Sequence, residues 1–513
     1  MIKSIVNKKV IFSFVICICL IMISGIFIGA NVFHYINYMD SDIASDTLLT
    51  EVLYQNNYRT PDTWYGSMER CVISAPNFAA LLYPFLMDLN LSMGIACSAL
   101  FIVLITVMFL YYRKMSYSIY AALIAALIPM ILSRDAHNVL EMIVLYAAYY
   151  VSHLIILYIM IILYSHVLRI GRVTIPIYLL TLSLAILGGL QGMHVIAFAF
   201  APIAGAEVLR LLTEYIYDRK FYQKSITIWT MAVFVTSFLV TSLTGSDSSD
   251  KHRNIRHSIE KFTQIIFPQI RGVISIDGNN KFWVTALCII GVIGYILLIK
   301  DTIKETKNDH DRLTDKWAMI PFIISFLIMI FSLTFTVTDS ATRYYIMQMF
   351  IIGTGTGYVF RYIRNVVLEA GIVAIVTMVA ILSIEADYNL YFDDNVIYNA
   401  DKYRVVNWLE DNNYTDGYAV FDIANMLSVV SNNKVHIRSV DNMSDLNPCK
   451  WLTYAEWYKP YIMKDDHIVY IVVTDNDNEK FKAYLGQQEY NLIDYTEIGI
   501  YRLYVIDQDF VSF

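Results

Sequence analysis

Residues 10–30 read VIFSFVICICLIMISGIFIGA, an unbroken apolar run without a single charged side chain. A helix of that length extends about 30 Å, which matches the hydrocarbon thickness of a bilayer. Ten further apolar runs lie near 92–112, 117–133, 139–165, 173–189, 194–213, 226–243, 282–300, 318–337, 344–360 and 366–384. The sequence therefore predicts an α-helical polytopic membrane protein with about eleven transmembrane helices.

The composition agrees with that prediction. Apolar residues make up 57% of the 513 residues and charged residues only 16%, whereas soluble globular chains carry about a quarter charged residues. The net charge of -7 is unevenly spread, because residues 385–513 carry about twelve more acids than bases. The sequence has no basic tract of the kind that binds nucleic acid.

The positive-inside rule orients the predicted spans. Lys3, Lys8 and Lys9 precede the first span, so the N-terminus is predicted to be cytoplasmic. Alternate connections are then basic, at Arg113 and Lys114, Arg169 and Arg172, Arg219, Lys220 and Lys224, Lys300, Lys304, Lys307, Arg312 and Lys316, and Arg361 and Arg364. An odd number of spans puts residues 385–513 on the outer face of the plasma membrane, together with loops 31–91 and 244–281.

The C-terminal segment has a different pattern from the spans. Strand-like runs lie at 418–421, 434–440, 467–473 and 498–506, and helix-like runs lie at 401–412, 422–431 and 478–487. This alternation predicts a small extracytoplasmic α/β domain with a mixed sheet. The predicted domains are therefore a transmembrane domain over 1–384, which includes both outer loops, and an α/β domain over 385–513.

The first outer loop opens with a cluster of carboxylates. Asp40, Asp42 and Asp46 lie within seven residues of one another, where the chain leaves the first span. Two carboxylates at this spacing can bind one divalent cation such as Mg²⁺ or Mn²⁺, or one can act as a general base. The alternative is that they cap or solvate the start of a helix. Spacing alone favours the second interpretation.

The rest of this loop contains residues suited to sugars and phosphates. Trp64 and Tyr65 are aromatic, and Glu69 and Arg70 follow them closely. Aromatic rings and guanidinium groups commonly contact sugars and phosphates. The next stretch, 75–89, is apolar. It is typical either of a helix that lies along a membrane interface or of a packed helix.

The loop also resembles a known family. The run Asp40-Ser41-Asp42, followed by Ser45-Asp46 and then by Trp64-Tyr65-Gly66-Ser67-Met68-Glu69-Arg70, resembles the first outer loop of the GT-C superfamily of polyprenyl-phosphate-dependent glycosyltransferases. The likeness is to an uncharacterised bacterial group with many spans and an outer α/β domain. In Gly188-Gly189-Leu190-Gln191-Gly192-Met193, Gln191 stands where that group has an arginine.

The resemblance implies roles for the loop acids. In GT-C enzymes an acid of this loop acts as general base on the acceptor or holds a divalent metal, and the sugar donor is a polyprenyl phosphate or diphosphate. Carried over to this sequence, Asp40 and Asp42 are the candidate catalytic and metal-binding residues. Asp46, Trp64, Tyr65, Glu69 and Arg70 are the candidate substrate-binding residues of the loop.

Cationic residues elsewhere are candidates for the lipid phosphate. The family has an arginine near an outer span end, and Arg343, followed by Tyr344, fits that position. An unpaired cation between two apolar runs is costly, and a phosphate partner would account for it. Pairing with Asp339 or snorkelling explains Arg343 equally well.

Two further outer groups are candidates. Arg134 and Asp135 lie in the second outer turn, where they could bind substrate or pair to cap span ends. Arg253 and Arg256 belong to a basic cluster in loop 244–281 that could hold a lipid diphosphate or face anionic headgroups without specificity.

Some ionisable residues of the spans have simpler explanations. His153 and His194 lie in or beside spans, where a lone histidine is more often bonded to the backbone than functional. Glu207 lies late in a span, where local pairing or snorkelling is expected.

These observations predict a membrane glycosyltransferase that moves a sugar from a polyprenyl-phosphate-linked donor, in the membrane lipid, to an acceptor at the outer face. The sugar stays open, as does the acceptor, which could be a glycan, a lipid or a protein. The alternatives are a transporter or flippase of lipid-linked sugars, and an inactive relative that assembles with other envelope proteins. Most acids lie at the outer span ends, which favours chemistry at the surface over transport.

Overall fold

The computed structural model describes residues 2–34, 36, 39–66, 72–132, 150–244, 255–274, 281–308, 314–392, 400–459 and 467–511. The chain divides into two compact units. The helical unit comprises Met1–Phe27 and Ala99–Leu390. The sheet unit comprises Ile28–Ser98 and Tyr391–Phe513.

Helices account for most of the described chain. In chain order they are α1 (Ile2–Gly29), α2 (Ser41–Gln55), α3 (Ala75–Leu86), α4 (Leu89–Lys114), α5 (Ile119–Leu132), α6 (Val151–Ile170), α7 (Ile175–Gln191), α8 (Met193–Asp218), α9 (Lys224–Thr244), α10 (255–272), α11 (Lys281–Asn308), α12 (Pro321–Phe335), α13 (Met347–Val359), α14 (Val366–Phe392), α15 (Ala400–Asp411), α16 (Phe421–Val430) and α17 (Asp475–Leu485). Short 3-10 turns at Asp315–Met319 and Thr342–Tyr345 lead into α12 and α13.

Most predicted spans coincide with one of these helices. Within the described residues, eight helices are long and apolar enough to cross a bilayer. The predicted spans 117–133, 173–189 and 344–360 correspond to the shorter helices α5, α7 and α13, of 14, 17 and 13 residues. A helix of 14 residues extends about 21 Å, which is less than the hydrocarbon thickness. A polytopic helical membrane protein is therefore confirmed, and the number of crossings stays a prediction.

Glycines bring three helices of the helical unit into close contact. A Cβ atom on Gly355 of α13 would lie 1.9 Å from the carbonyl oxygen of Gly291 in α11. A Cβ atom on Gly294 would lie 1.9 Å from the carbonyl oxygen of Gly355. On the α5 side, a Cβ atom on Gly353 would lie 2.7 Å from the carbonyl oxygen of Ala125. Small residues allow this backbone approach, which is how membrane helices commonly pack.

Replacing Gly355 by Ala is expected to destabilise the helical unit by about 1–3 kcal/mol, because the added methyl group forces α11 and α13 apart. Gly371→Ala in α14 is the matched control, since a Cβ atom at Gly371 would have no neighbouring atom within 4 Å. SDS titration of the two purified variants in mixed micelles measures the difference. If both variants unfold at the same SDS midpoint, the contact between α11 and α13 is not tight.

A buried ionic network joins α8 to the start of α9. The Arg210 guanidinium contacts both Glu207 and Glu214, and all three side chains are almost fully buried. Tyr164 and Thr227 donate hydrogen bonds to Glu207 at 2.8 and 2.6 Å. The backbone N–H of Tyr222 donates to Glu214 at 3.0 Å. The local pairing predicted for Glu207 is therefore confirmed, and the network fixes the connection between the two helices.

The sheet unit contains a mixed five-stranded sheet. The strands are β1 (Trp64–Tyr65), β2 (Asp416–Val420), β3 (His436–Val440), β4 (Thr453–Tyr454), β5 (Ile468–Val472), β6 (Leu492–Ile498) and β7 (Tyr501–Ile506). The sheet order is β3-β2-β5-β7-β6, with β3, β2 and β5 parallel and β7 antiparallel to both of its neighbours. This confirms the predicted α/β architecture. The predicted strand 498–506 corresponds to β7, and the turn at Gly499, with φ +60°, joins it to β6, a strand that was not predicted.

The first outer loop packs within the sheet unit. Helix α2 contacts α16, where the Asn425 side chain donates a hydrogen bond to the Ser45 hydroxyl at 2.7 Å. Strand β1 pairs with β4, which places Trp64 opposite Tyr454. The predicted domain boundary grouped loop 31–91 with the spans, whereas the contacts group residues 28–98 with 391–513. Hydrogen bonds between residues far apart in the chain are the physical reason for this difference.

Candidate functional site

Asp40 is the N-cap residue of α2. Its backbone is extended, and its Oδ1 accepts a hydrogen bond of 2.9 Å from the backbone N–H of Ile43. The side chain is exposed at the surface of the sheet unit. Capping, which was one of the two predicted explanations, therefore accounts for the position of this carboxylate. A cap of this kind uses one carboxylate oxygen to satisfy a backbone N–H at the helix start.

Asp42 and Asp46 lie on α2, one turn apart. Asp42 belongs to the first turn of the helix and is half-buried. Asp46 is only 3% exposed and lies next to Ser45, which contacts Asn425. Both carboxylates lie in the N-terminal half of α2. The exposed part of this acidic group is therefore Asp40 with Asp42.

Trp64 and Tyr65 have a packing role within the sheet unit. Trp64 is 9% exposed, and its ring meets the Trp457 ring edge-on at 6.0 Å. The N–H of Ala455 donates to the carbonyl of Thr63 at 2.9 Å, which extends the β1–β4 pair. The Tyr65 side chain is half-buried. Of the two predicted sugar contacts, Tyr65 is thus the more accessible.

Arg343 and Tyr344 lie in the helical unit, in the 3-10 turn before α13. The Arg343 guanidinium carbon lies 5.7 Å from the centre of the Tyr344 ring. The His194 ring stacks on Tyr344 at 5.3 Å, with 22° between the ring planes. The centres of the Tyr150 and His194 rings lie 6.4 Å apart. The predicted phosphate-binding arginine is therefore part of an aromatic and histidine cluster.

Helix α10 holds the segment that carries Arg343. Lys261 is 4% exposed, and its ammonium donates hydrogen bonds to the carbonyls of Thr336 and Thr338 at 3.1 and 2.5 Å. Gln269 exchanges hydrogen bonds with Ser340 at 2.6 and 2.5 Å. These bonds satisfy carbonyl groups of the segment that follows α12 and leads to Arg343. These contacts account for the buried position of the Lys261 ammonium.

His194 is not among the predicted site residues, because a lone histidine beside a span is more often bonded to the backbone than functional. Gly192 has φ 136° and breaks the helix between Gln191 and His194, so that His194 lies near the start of α8 and reaches Tyr344. Gln191 is buried and its amide donates a hydrogen bond of 3.0 Å to Ser152. The glycine at 192 was the available signal for this break in the helix.

Several predicted site residues lie outside the described residues, namely Glu69, Arg70, Arg134, Asp135 and Arg253. Arg256 lies in α10, and its side chain is likewise outside the described part. The remaining candidates fall into two groups, one in each unit. Asp40, Asp42, Asp46, Trp64 and Tyr65 belong to the sheet unit, and Arg343, Tyr344 and Arg256 belong to the helical unit.

Among the described residues, no group of three or more His, Cys, Asp and Glu side chains is arranged to hold a metal ion. Asp40, Asp42 and Asp46 are among these described residues and do not form such a group. A divalent cation at Asp40 and Asp42 would therefore need ligands from water or from a substrate phosphate. Mg²⁺ commonly binds in this way, through one or two carboxylates and substrate oxygens.

Comparison with solved structures identifies the fold. A crystal structure of ArnT from Cupriavidus metallidurans bound to undecaprenyl phosphate matches with a TM-score of 0.55 at 9% identity, covering 97% of this chain and 98% of that chain. The chain shares the fold of this structure. Archaeal oligosaccharyltransferase AglB from Archaeoglobus fulgidus, in complex with an inhibitory peptide and a dolichol-phosphate, matches with a TM-score of 0.45 at 12% identity, covering 89% of this chain and 69% of that chain. No family model matches the sequence, and no curated protein matches it.

The fold extends over both units, since the ArnT match covers nearly the whole chain. The predicted fold class is therefore confirmed, and the fold agrees with the resemblance drawn from the first loop. The chain is a multi-pass membrane protein. The orientation of its termini stays a prediction.

Proposed function

We propose that this chain transfers a sugar from a polyprenyl-phosphate-linked donor to an acceptor at the outer face of the plasma membrane. The observation that carries the proposal is the end-to-end likeness to ArnT, whose crystal structure contains undecaprenyl phosphate. A donor of the same chemical class fits a chain with long apolar helices and an exposed carboxylate at the start of α2.

Asp40 is the proposed general base. It is the exposed acid of the group, so an acceptor hydroxyl can reach it. It follows a long apolar helix by only a few residues, and it is therefore proposed to act near the donor's headgroup. A positioned carboxylate that accepts the hydroxyl proton makes the attacking oxygen a better nucleophile at the anomeric carbon. Asp42 is the proposed partner, either as a second acid or together with Asp40 at a Mg²⁺ or Mn²⁺ ion.

Arg343 is the proposed ligand of the donor phosphate. The bond that breaks leaves negative charge on the polyprenyl phosphate, and a fixed guanidinium stabilises that charge as it develops. The Tyr344 ring and the hydrogen bonds from α10 restrict the segment that carries Arg343. The proposed anion-binding surface also includes Tyr344, Arg256 and Arg253. Substrate contacts from the second outer turn are proposed for Arg134 and Asp135. On the acceptor side, Asp46, Trp64, Tyr65, Glu69 and Arg70 are the proposed contacts.

Replacing Arg343 by Gln is expected to lower kcat/KM for the lipid-linked donor by about 10–100-fold, because one charge-assisted contact contributes roughly 1.5–3 kcal/mol. Arg343→Lys keeps the positive charge but loses the planar guanidinium group, which can donate two parallel hydrogen bonds. Its decrease in kcat/KM should therefore be intermediate. Arg271→Gln is the control, since Arg271 is an exposed arginine of the adjacent α10. A loss as large for Arg271→Gln as for Arg343→Gln would remove the specific role of Arg343.

The experiment that tests the function uses the purified chain in liposomes with a radiolabelled polyprenyl-phosphate sugar. Loss of label from the lipid and its appearance on an acceptor support the proposal, and chelation with EDTA tests the metal in the same assay. A flippase is the second candidate. It would move the labelled lipid between leaflets without breaking the sugar–phosphate bond, and that result would reject transfer.

A further inference from the structure

Lys402 is a buried lysine of the sheet unit. It lies in the first turn of α15, and its side chain is 0% exposed. Val405, Val406 and Leu409 of the same helix are buried as well. Residues at this spacing share one side of a helix, so the Lys402 side chain projects from the buried, apolar side of α15.

The Lys402 ammonium has a single hydrogen-bond acceptor among the described residues. It donates to the backbone carbonyl of Ile36 at 3.1 Å, and no described carboxylate lies within ion-pair distance of it. The centre of the Tyr403 ring lies 5.7 Å from the ammonium nitrogen. Burial lowers the pKa of Lys402 to about 8. A buried charge without an opposite charge costs free energy that an apolar side chain would not, so the contact with Ile36 is what the ammonium adds.

Ile36 belongs to the short segment that connects α1 to Asp40, the N-cap residue of α2. The hydrogen bond from Lys402 therefore joins this segment to a residue 366 positions further along the chain. A second contact holds the same segment, because the His34 ring meets the Phe392 ring edge-on at 4.7 Å. The course of the chain into α2 thus depends on the C-terminal part of the sheet unit.

We propose that Lys402 is a positioning residue for Asp40. Its ammonium holds the carbonyl of Ile36, and so fixes where the Asp40 carboxylate stands relative to an acceptor hydroxyl. This inference rests on the proposed function, in which Asp40 is the general base. A displacement of about 1 Å at a reacting group can lower a rate by about 100-fold. Because Lys402 is fully buried, it acts through the segment and not on the substrate.

Lys402→Met in the full chain tests the inference. Methionine is unbranched and apolar, so it can occupy the buried side of α15 without a charge and without a donor group. Lys402→Arg keeps a charged donor. Lys434→Met is the matched control, because Lys434 belongs to the same unit and its side chain is 68% exposed.

Two measurements are made on each variant in liposomes. The first gives kcat and KM for the labelled polyprenyl-phosphate sugar. The second follows amide hydrogen exchange by mass spectrometry in the peptide that contains Ile43, whose N–H donates to the Asp40 carboxylate, and in α16 for comparison. Exchange in α16 reports on the stability of the sheet unit as a whole.

We expect Lys402→Met to lower kcat by about 10–100-fold and to leave the donor KM within about twofold of wild type. Lys402→Arg should recover most of kcat, and Lys434→Met should match wild type. Hydrogen exchange in Lys402→Met should rise at the start of α2 and stay unchanged in α16. An unchanged kcat in Lys402→Met would overturn the inference. Exchange that rises equally in α2 and α16 would also overturn it, since Lys402 would then have a purely structural role.

Failure of the proposed function is recognised separately. A wild-type chain that transfers no sugar would reject that function, and the exchange measurement then decides by itself whether Lys402 holds the segment before α2. Faster exchange confined to the start of α2 in Lys402→Met supports this contact, and unchanged exchange there rejects it.

Discussion

Replacing Asp40 by Asn is expected to lower the rate of sugar transfer by about 10²–10⁴-fold, which is the usual contribution of a general base. The substitution removes the negative charge that accepts the proton. It preserves the hydrogen bond from the backbone N–H of Ile43, because Asn caps helices about as well as Asp. The measurement is initial transfer from labelled polyprenyl-phosphate sugar by purified protein in liposomes.

A second substitution at the same position separates catalysis from capping. Asp40→Ala loses both the charge and the cap, so it should match Asp40→Asn in activity but lose about 1 kcal/mol of stability. If Asp40 serves only as a cap, Asp40→Asn keeps wild-type activity and Asp40→Ala alone is impaired. That pattern would assign the carboxylate a structural role.

Replacing Arg210 by Leu is expected to destabilise the helical unit by about 3–5 kcal/mol, which is the typical effect of removing one partner from a buried ion pair. The guanidinium is fully buried and contacts both Glu207 and Glu214. Its removal leaves two carboxylates inside the protein without a counterion, and they must then bind protons or draw in water. SDS titration in mixed micelles measures the loss.

Arg169→Leu is the matched control for Arg210. Arg169 also pairs with a carboxylate, that of Asp315 at 2.5 Å, but its side chain is 50% exposed. Surface pairs of this kind contribute about 0–1 kcal/mol, so the control should change little. A similar midpoint shift for both variants would mean that burial does not determine the effect, which contradicts the account of this network.

The spans and most elements of the sheet were predictable from the sequence, for a simple reason. Long apolar runs have few alternatives to a membrane helix, and the short runs near 418, 436 and 468 form strands that are buried at almost every position. The turn at Gly499 was not predicted, because a single glycine in an apolar run is compatible with a continuous strand. The shorter helices α5, α7 and α13 lie where spans were predicted, and whether they cross the membrane stays a prediction.

The arrangement of the candidate site was less predictable. The first loop belongs with the sheet unit through contacts such as that of Asn425 with Ser45, which join residues 380 positions apart. No local pattern encodes such a pairing. The stacking of His194 on Tyr344 likewise joins α8 to the turn before α13. The acidic cluster itself was visible, since three carboxylates after a span need no tertiary information to be recognised.

The most direct test of the proposed function measures donor binding beside donor turnover in the same liposomes. Equilibrium binding of a polyprenyl-phosphate sugar is compared for the wild-type chain, Asp40→Asn and Arg343→Gln. We expect Asp40→Asn to bind the donor as tightly as wild type without transferring its sugar, and Arg343→Gln to bind it more weakly. Transfer by Asp40→Asn at the wild-type rate, or no binding of the donor by the wild-type chain, would contradict the proposed function.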